Sequence, residues 1–257
     1  MQFTPGRTVA FAAMVCFVCS IFVAGAAVGL KSRQKANEVL DVQKKVLDVA
    51  GLLTEDLAND QEGIEQVYTK RVNPVLVDLK AGGCAGEDAK AFDQQKAMKD
   101  PTKSEQAANN PAKVLRRPFC AKAFQVVNEK NKNELDTLII PVEGKGLWST
   151  LYGFVALDKN KVDIKGLTFY KHAETPGLGG EVDNPKWKAQ WKGKKAFKEG
   201  STAPAIEVVK GMANDEYQVD GLSGATLTSR GVTFLLQYWL GDQGYGPHLD
   251  SLVNIKE

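Results

Sequence analysis

The sequence predicts an α+β fold: an N-terminal transmembrane helix followed by a mostly antiparallel sheet flanked by helices. Three observations lead there. Thr8–Leu30 is apolar throughout and carries no charged side chain. Between Phe124 and Tyr170 the chain holds successive stretches rich in β-formers, separated by polar turns. Val232–Leu240 has the apolar pattern of a buried helix and runs into Gly241.

The first element follows from length. At ~1.5 Å per residue, Thr8–Leu30 spans a hydrocarbon core of ~30 Å. Ala24-Gly25-Ala26 resembles a signal-peptide cleavage site, but signal-peptide apolar cores run only about 7–15 residues. A retained anchor within residues 1–30 is therefore the expectation, with a soluble domain over 31–257. Arg7 precedes the span and Lys31, Arg33 and Lys35 follow it. The positive-inside rule taken alone puts the domain in the cytoplasm, although it is weaker for one span followed by a long domain. Cys16 and Cys19 have C-x-x-C spacing, yet inside an apolar span they read as small packing residues.

Ala36, Leu40, Leu47, Ala50 and Leu53 recur at near-helical spacing, which predicts an amphipathic helix from Lys31 to about Leu57 that packs on its own domain. Residues 80–118 contain Gly82, Gly83 and Gly86, then a polar stretch, then Pro111 and Pro118, and read as a surface excursion with some helical turns. Cys84 and Cys120 are free to pair in an exported protein, and spacing alone does not decide it. Strands are expected at Phe124–Asn128, Leu135–Val142, Leu151–Leu157 and Val162–Tyr170. Asn184 caps a short helix with Pro185 at its first position, and Trp187 and Trp191 share one of its faces. Ala205–Lys210 reads as a further strand. Thr228 or Ser229 is the expected cap of the last helix, which ends at Gly241.

Composition excludes several functions. Lys and Arg total 33 against 31 Asp and Glu, so without Arg7 the balance is 32 to 31. A nearly neutral domain excludes nucleic acid as its main partner. His172 and His248 stand alone without zinc spacing, so no metal site is expected. Ser223 and His172 lack a Gly-x-Ser-x-Gly context, there is no Walker or dinucleotide loop, and no catalytic residue emerges.

Three glycine-rich segments remain: Gly144–Trp148, Glu174–Gly180 and Gly241–Pro247. On residue type alone the second is a tight turn and Trp148 is core, with cofactor stacking as the other reading. Asp220–Ser229 is more informative. It sets hydroxyls, small residues and a carboxylate directly before a helix, which suits an anion such as phosphate.

The string Asp220-Gly-Leu-Ser223-Gly224-Ala225-Thr226 resembles the signal at which FMN is attached to threonine. With Gly144–Trp148 and Glu174–Gly180 upstream, the chain resembles FMN-binding domains of two membrane complexes. One is the C-type component of the Na+-translocating NADH:quinone oxidoreductase, and the other is the G-type component of the Rnf complex. The Ala24–Leu30 end of the span and Trp239-Leu-Gly-Asp-Gln-Gly244 extend the likeness over essentially the whole chain. Glu174–Val182 and Gly221–Ser229 look more like the quinone-reductase component. The resemblance implies FMN joined covalently to Thr226 through a phosphodiester. Ser223, Gly224, Ala225, Leu227 and Thr228 would line the attachment loop. Trp148, Glu174, Thr175, Gly177, Leu178 and Gly179 would lie around the ring or ribityl chain, and Asp220 would serve recognition by a flavin transferase. It further implies one of six subunits of a bacterial inner-membrane complex, with this domain in the periplasm. That complex passes electrons from NADH to ubiquinone and exports Na+, and this component has no complete activity alone. The alternatives are an Rnf-type component, or an anchored, non-catalytic binding or assembly protein whose glycine-rich segments are only turns.

Overall fold

The computed structural model describes residues 4–254. The chain divides into two units, Met1–Val42 and Gln43–Glu257. Helix α1 runs Pro5–Val49. Its N-terminal part is solvent-exposed along Thr8–Leu30 and is long and apolar enough to cross a membrane. In the second unit, Val46 and Leu47 at its C-terminal end are fully buried.

The helix stops at Val49, short of the expected Leu57, for a local reason. Gly51 has φ +71°, its N–H donates to the Asp48 carbonyl, and the Leu52 N–H donates to the Leu47 carbonyl. This pair of bonds is a Schellman stop, and glycine supplies its left-handed residue without steric cost. Helices α2 (Glu55–Ala58) and α3 (Gln61–Arg71) follow, then strand β1 (Val72–Asp78). Sequence patterning missed α3 and β1. The strand carries Pro74, and it is tolerated because β1 lies at the sheet edge and pairs with a single neighbour.

Within residues 80–118 lie α4 (Gln94–Lys99) and a small hairpin of β2 (Ser104–Gln106) and β3 (Arg116–Pro118). Exposed turns dominate the stretch, but Met98, Ala112 and Val114 enter the main core. A disulfide joins Cys84 to Cys120.

The central strands are β4 (Cys120–Val127), β5 (Leu135–Lys145), β6 (Thr150–Asp158) and β7 (Asp163–Lys171). Each contains nearly the whole of an expected strand. With α5 (Pro185–Ala189) and the short β8 (Lys194–Lys195) they complete an antiparallel sheet ordered β1-β4-β5-β6-β7-β8. Asn184 caps α5 by accepting from the Lys186 N–H, and Trp187 and Trp191 meet edge to face with centroids 5.4 Å apart. The strand expected at Ala205–Lys210 shrinks to β9 (Glu207–Val208), paired in parallel with β10 (Gln218–Val219) outside the main sheet. Only two residues align there.

The last long helix, α6, spans Thr226–Leu240, and α7 (Leu249–Leu252) ends the described chain. The expected cap residues, Thr228 and Ser229, lie inside the first turn of α6. Ala225 occupies the cap position and offers no side-chain bond. Both hydroxyls are committed elsewhere: Thr228 donates to Glu174, and Ser229 Oγ accepts from the Leu222 N–H. Val232, Leu235, Leu236, Trp239 and Leu240 are fully buried on the core side of α6. Two glycines permit the close approach of α6 to β5. A methyl at Gly144 would sit 2.7 Å from Leu235 Cβ, and one at Gly231 would sit 2.4 Å from the Lys145 carbonyl oxygen. The first turn of α6 is thereby held beside the end of β5 and the loop that follows it.

Candidate FMN site

The centre of the site is a buried carboxylate. Glu174 follows β7 and is 5 % exposed. Its Oε1 accepts from the backbone N–H groups of Trp148 (3.0 Å) and Ser149 (3.1 Å) and from the Ser149 hydroxyl (3.3 Å). Its Oε2 accepts from the Leu147 N–H (3.2 Å) and from the Thr228 hydroxyl (2.7 Å). A buried charge is retained only when so compensated. Burial pushes the Glu174 carboxyl up, but the Thr228 hydroxyl and the amides of Ser149, Trp148 and Leu147 outweigh it and hold the pKa below the usual carboxylate value.

Glycines make room for this carboxylate. A methyl at Gly146 would lie 2.6 Å from Glu174 Oε1, and one at Gly179 would lie 2.6 Å from the Thr228 hydroxyl oxygen and 2.7 Å from Glu174 Oε2. The two upstream glycine-rich segments therefore meet the first turn of α6 at one point. Ser149 adds a further link, since its hydroxyl also accepts from the Ala173 N–H. It carries no sequence signal, because a serine at the start of a strand is ordinary until its partners are seen.

The expected residues divide into two kinds. Glu174, Ala225, Thr228 and Gly179 are buried supports. Thr226, Ser223, Gly224 and Leu227 are exposed. Thr226 opens α6 and lines a cleft of about 910 Å³ shared with Ser223, Gly224, Lys210 and Arg230. Gly224 has φ +70°, and Leu178 lies so close that a methyl there would be 2.8 Å from its Cδ2. Thr175 and Gly177 are exposed on the intervening turn, where the Thr175 carbonyl accepts from the N–H groups of Leu178 and Gly180 and Gly177 has φ +76°. The glycine-rich run is thus a real turn, and its Leu178 lies against Gly224.

Trp148 corrects the reading drawn from residue type: it is 67 % exposed, not core. Leu147 (41 %), Leu178 (44 %) and Leu227 (54 %) are also open to solvent. Asp220 is tied into the structure. Its carboxylate accepts from the Ala213 N–H (2.6 Å), its N–H donates to Gln190, and its carbonyl accepts from the Trp187 indole (2.8 Å). His172 pairs with Asp183 at 2.8 Å.

These residues fit FMN. An exposed threonine opens a helix whose N-terminus favours an anion by about 0.3–1 kcal/mol, and exposed apolar side chains stand nearby for a planar ring. A model of the FMN-binding domain matches residues 146–241, which contain the whole constellation. The C-type component of the Na+-translocating NADH-quinone reductase of Vibrio anguillarum is 47 % identical, covering 90 % of this chain and 89 % of that one. The chain belongs to this family, NqrC. The corresponding component from Pseudomonas aeruginosa is 43 % identical over 98 % of this chain and 97 % of its own. The crystal structure of Shewanella oneidensis NqrC superposes with a TM-score of 0.76 at 32 % identity, covering 84 % of this chain and 98 % of that one. The Parabacteroides distasonis counterpart gives 0.64 at 28 % identity, covering 86 % and 96 %. Membership accounts for the fold, the FMN-binding domain and the N-terminal membrane anchor together.

Proposed function

We propose that this chain is the FMN-carrying electron-transfer component of a sodium-translocating NADH:quinone reductase, with FMN joined to Thr226 by a phosphodiester. One observation carries the attachment. Of the two threonines in the first turn of α6, Thr226 is exposed and Thr228 is fully buried with its hydroxyl already donated to Glu174. Of these two, only Thr226 presents a hydroxyl to an incoming phosphate. Its oxygen would become the ester oxygen and its proton would leave, with a flavin transferase supplying the flavin phosphate on a leaving group. Bound flavin supplies uptake and release of electrons. The chain itself tethers the phosphate at the helix N-terminus and sets side chains beside the ring.

Asp220 serves the attachment signal indirectly in this reading. By holding Ala213 and the Trp187 indole it sets the entrance of the loop that presents Thr226. The domain lies in the periplasm and the chain is one of six subunits. The Cys84–Cys120 disulfide supports that side of the membrane, because such bonds persist in oxidising compartments. It outweighs the Lys31, Arg33 and Lys35 charges that follow the span.

The test is a denaturing gel viewed under ultraviolet light, using protein from cells that express the transferase. A fluorescent band is expected for wild type and Thr228→Val, and none for Thr226→Val. Fluorescence that survives in Thr226→Val and disappears in Thr228→Val would refute the attachment site.

A further inference from the structure

Glu174 is placed where it does more than border a ligand. Its five bonds connect two segments far apart in sequence, the loop Leu147–Ser149 and the first turn of α6. Its own backbone belongs to a third, since the Glu174 N–H donates to His172 Nδ1 just after β7. Gly146 and Gly179 leave no space beside it for even a methyl group. Both oxygens are spent on the protein, and the side chain is buried, so the carboxylate has little left to offer a ligand directly.

We infer that Glu174 is a positioning residue, a carboxylate clamp that holds Trp148 and Thr226 at one spacing before any flavin arrives. The inference rests on the function proposed above. Trp148 is the exposed aromatic of the loop and Thr226 the exposed threonine of the helix. Their relative position is transmitted through the Glu174 bonds to the Trp148 N–H and the Thr228 hydroxyl. The same bond to Thr228 withdraws the competing hydroxyl from the phosphate. The clamp therefore serves two ends: it fixes the place of the ring relative to its tether, and it leaves Thr226 as the one open threonine of that turn. A carboxylate suits this task because it accepts several bonds at once and donates none. A carboxamide must turn its donor group toward either the Leu147 N–H or the Trp148 and Ser149 amides, and a donor facing a donor has no hydrogen bond.

The experiment uses the full-length chain in detergent, in two forms. In the flavin-free form, made without the transferase, hydrogen exchange at Leu147, Trp148 and Ser149 is followed by mass spectrometry. Exchange should be about tenfold faster or more in Glu174→Ala than in wild type, with Glu174→Gln between them. In the loaded form, the visible circular dichroism of the flavin should weaken in the same order, and in wild type it should hold constant as pH is lowered to the ordinary carboxylate range. If Glu174→Ala fails to fold, Glu174→Gln alone decides, by exchange faster than wild type together with altered flavin dichroism. Unchanged exchange in Glu174→Gln, or faster exchange with unchanged flavin dichroism, would overturn the clamp. Wild type that takes up no covalent flavin would instead remove the proposed function, and the exchange comparison would still decide whether the clamp holds the loop.

Discussion

Gly231→Ala tests how the site is held. In an exposed helix interior, alanine in place of glycine stabilises by about 1 kcal/mol. Here the added methyl would lie 2.4 Å from the Lys145 carbonyl oxygen and 3.2 Å from Gly146 Cα. Ordinary carbon contacts need about 3.5–4.0 Å, so α6 and the end of β5 must separate by roughly 1 Å. Both obstructing atoms are backbone, and no side chain can rotate away. Overpacking of this kind costs about 1–3 kcal/mol, and the neighbouring contact of Gly144 with Leu235 stops the helix from tilting as an escape. Subtracting the propensity gain from the upper part of that range leaves a net loss of about 1–2 kcal/mol. For a domain of this size that lowers the unfolding midpoint by about 2–8 °C. Thermal unfolding of the flavin-free chain in detergent, followed by near-ultraviolet dichroism, measures it. The separation also moves Thr226 away from Trp148, so flavin dichroism of loaded protein should fall. A midpoint equal to or above wild type would refute the reasoning, because helix propensity would then outweigh the backbone contact.

Reducing the Cys84–Cys120 bond, or replacing both residues with alanine, frees a loop with a sequence separation of 36. Chain entropy puts that loss at about 4 kcal/mol. Urea unfolding with and without reductant checks it, and coincident curves would count against the estimate. Glu143, largely shielded from solvent and balanced only in part by Lys99, has its pKa pushed up to about 7. A carboxyl with a raised folded pKa binds more protons folded than unfolded, so stability should fall as pH rises from about 4.5 to about 7. Glu143→Gln should match wild type near pH 4 and exceed it at pH 8 in the same urea assay; an identical pH profile would exclude Glu143 as the source.

Much of this protein is local and therefore visible in one dimension. An apolar run of membrane length, β-rich stretches between polar turns, and Asn184-Pro185 at a helix start each record the chemistry of adjacent residues, and the structure contains all of them. Asp220–Ser229 reads as a candidate phosphate loop because backbone that comes close to a phosphate needs small residues and hydroxyls in a row, whereas its reading as an FMN signal rests on resemblance. What failed locally had tertiary causes. Thr228 and Ser229 have the chemistry of helix caps, yet Glu174 and the Leu222 amide claim their hydroxyls. Trp148 has the composition of a core residue, yet it sits on a loop whose backbone amides point inward to a carboxylate, leaving its ring outside.

The sequence by itself determined an anchored α+β chain with a candidate phosphate loop before its last long helix, since each of those rests on neighbouring residue types. Only the tertiary structure separated the two threonines and gave Glu174 its part. A hydroxyl's availability depends on what the rest of the chain places against it, and Glu174 lies 54 positions from Thr228 and 25 from Ser149. No local pattern spans those distances; the sheet and the close packing of α6 on β5 do.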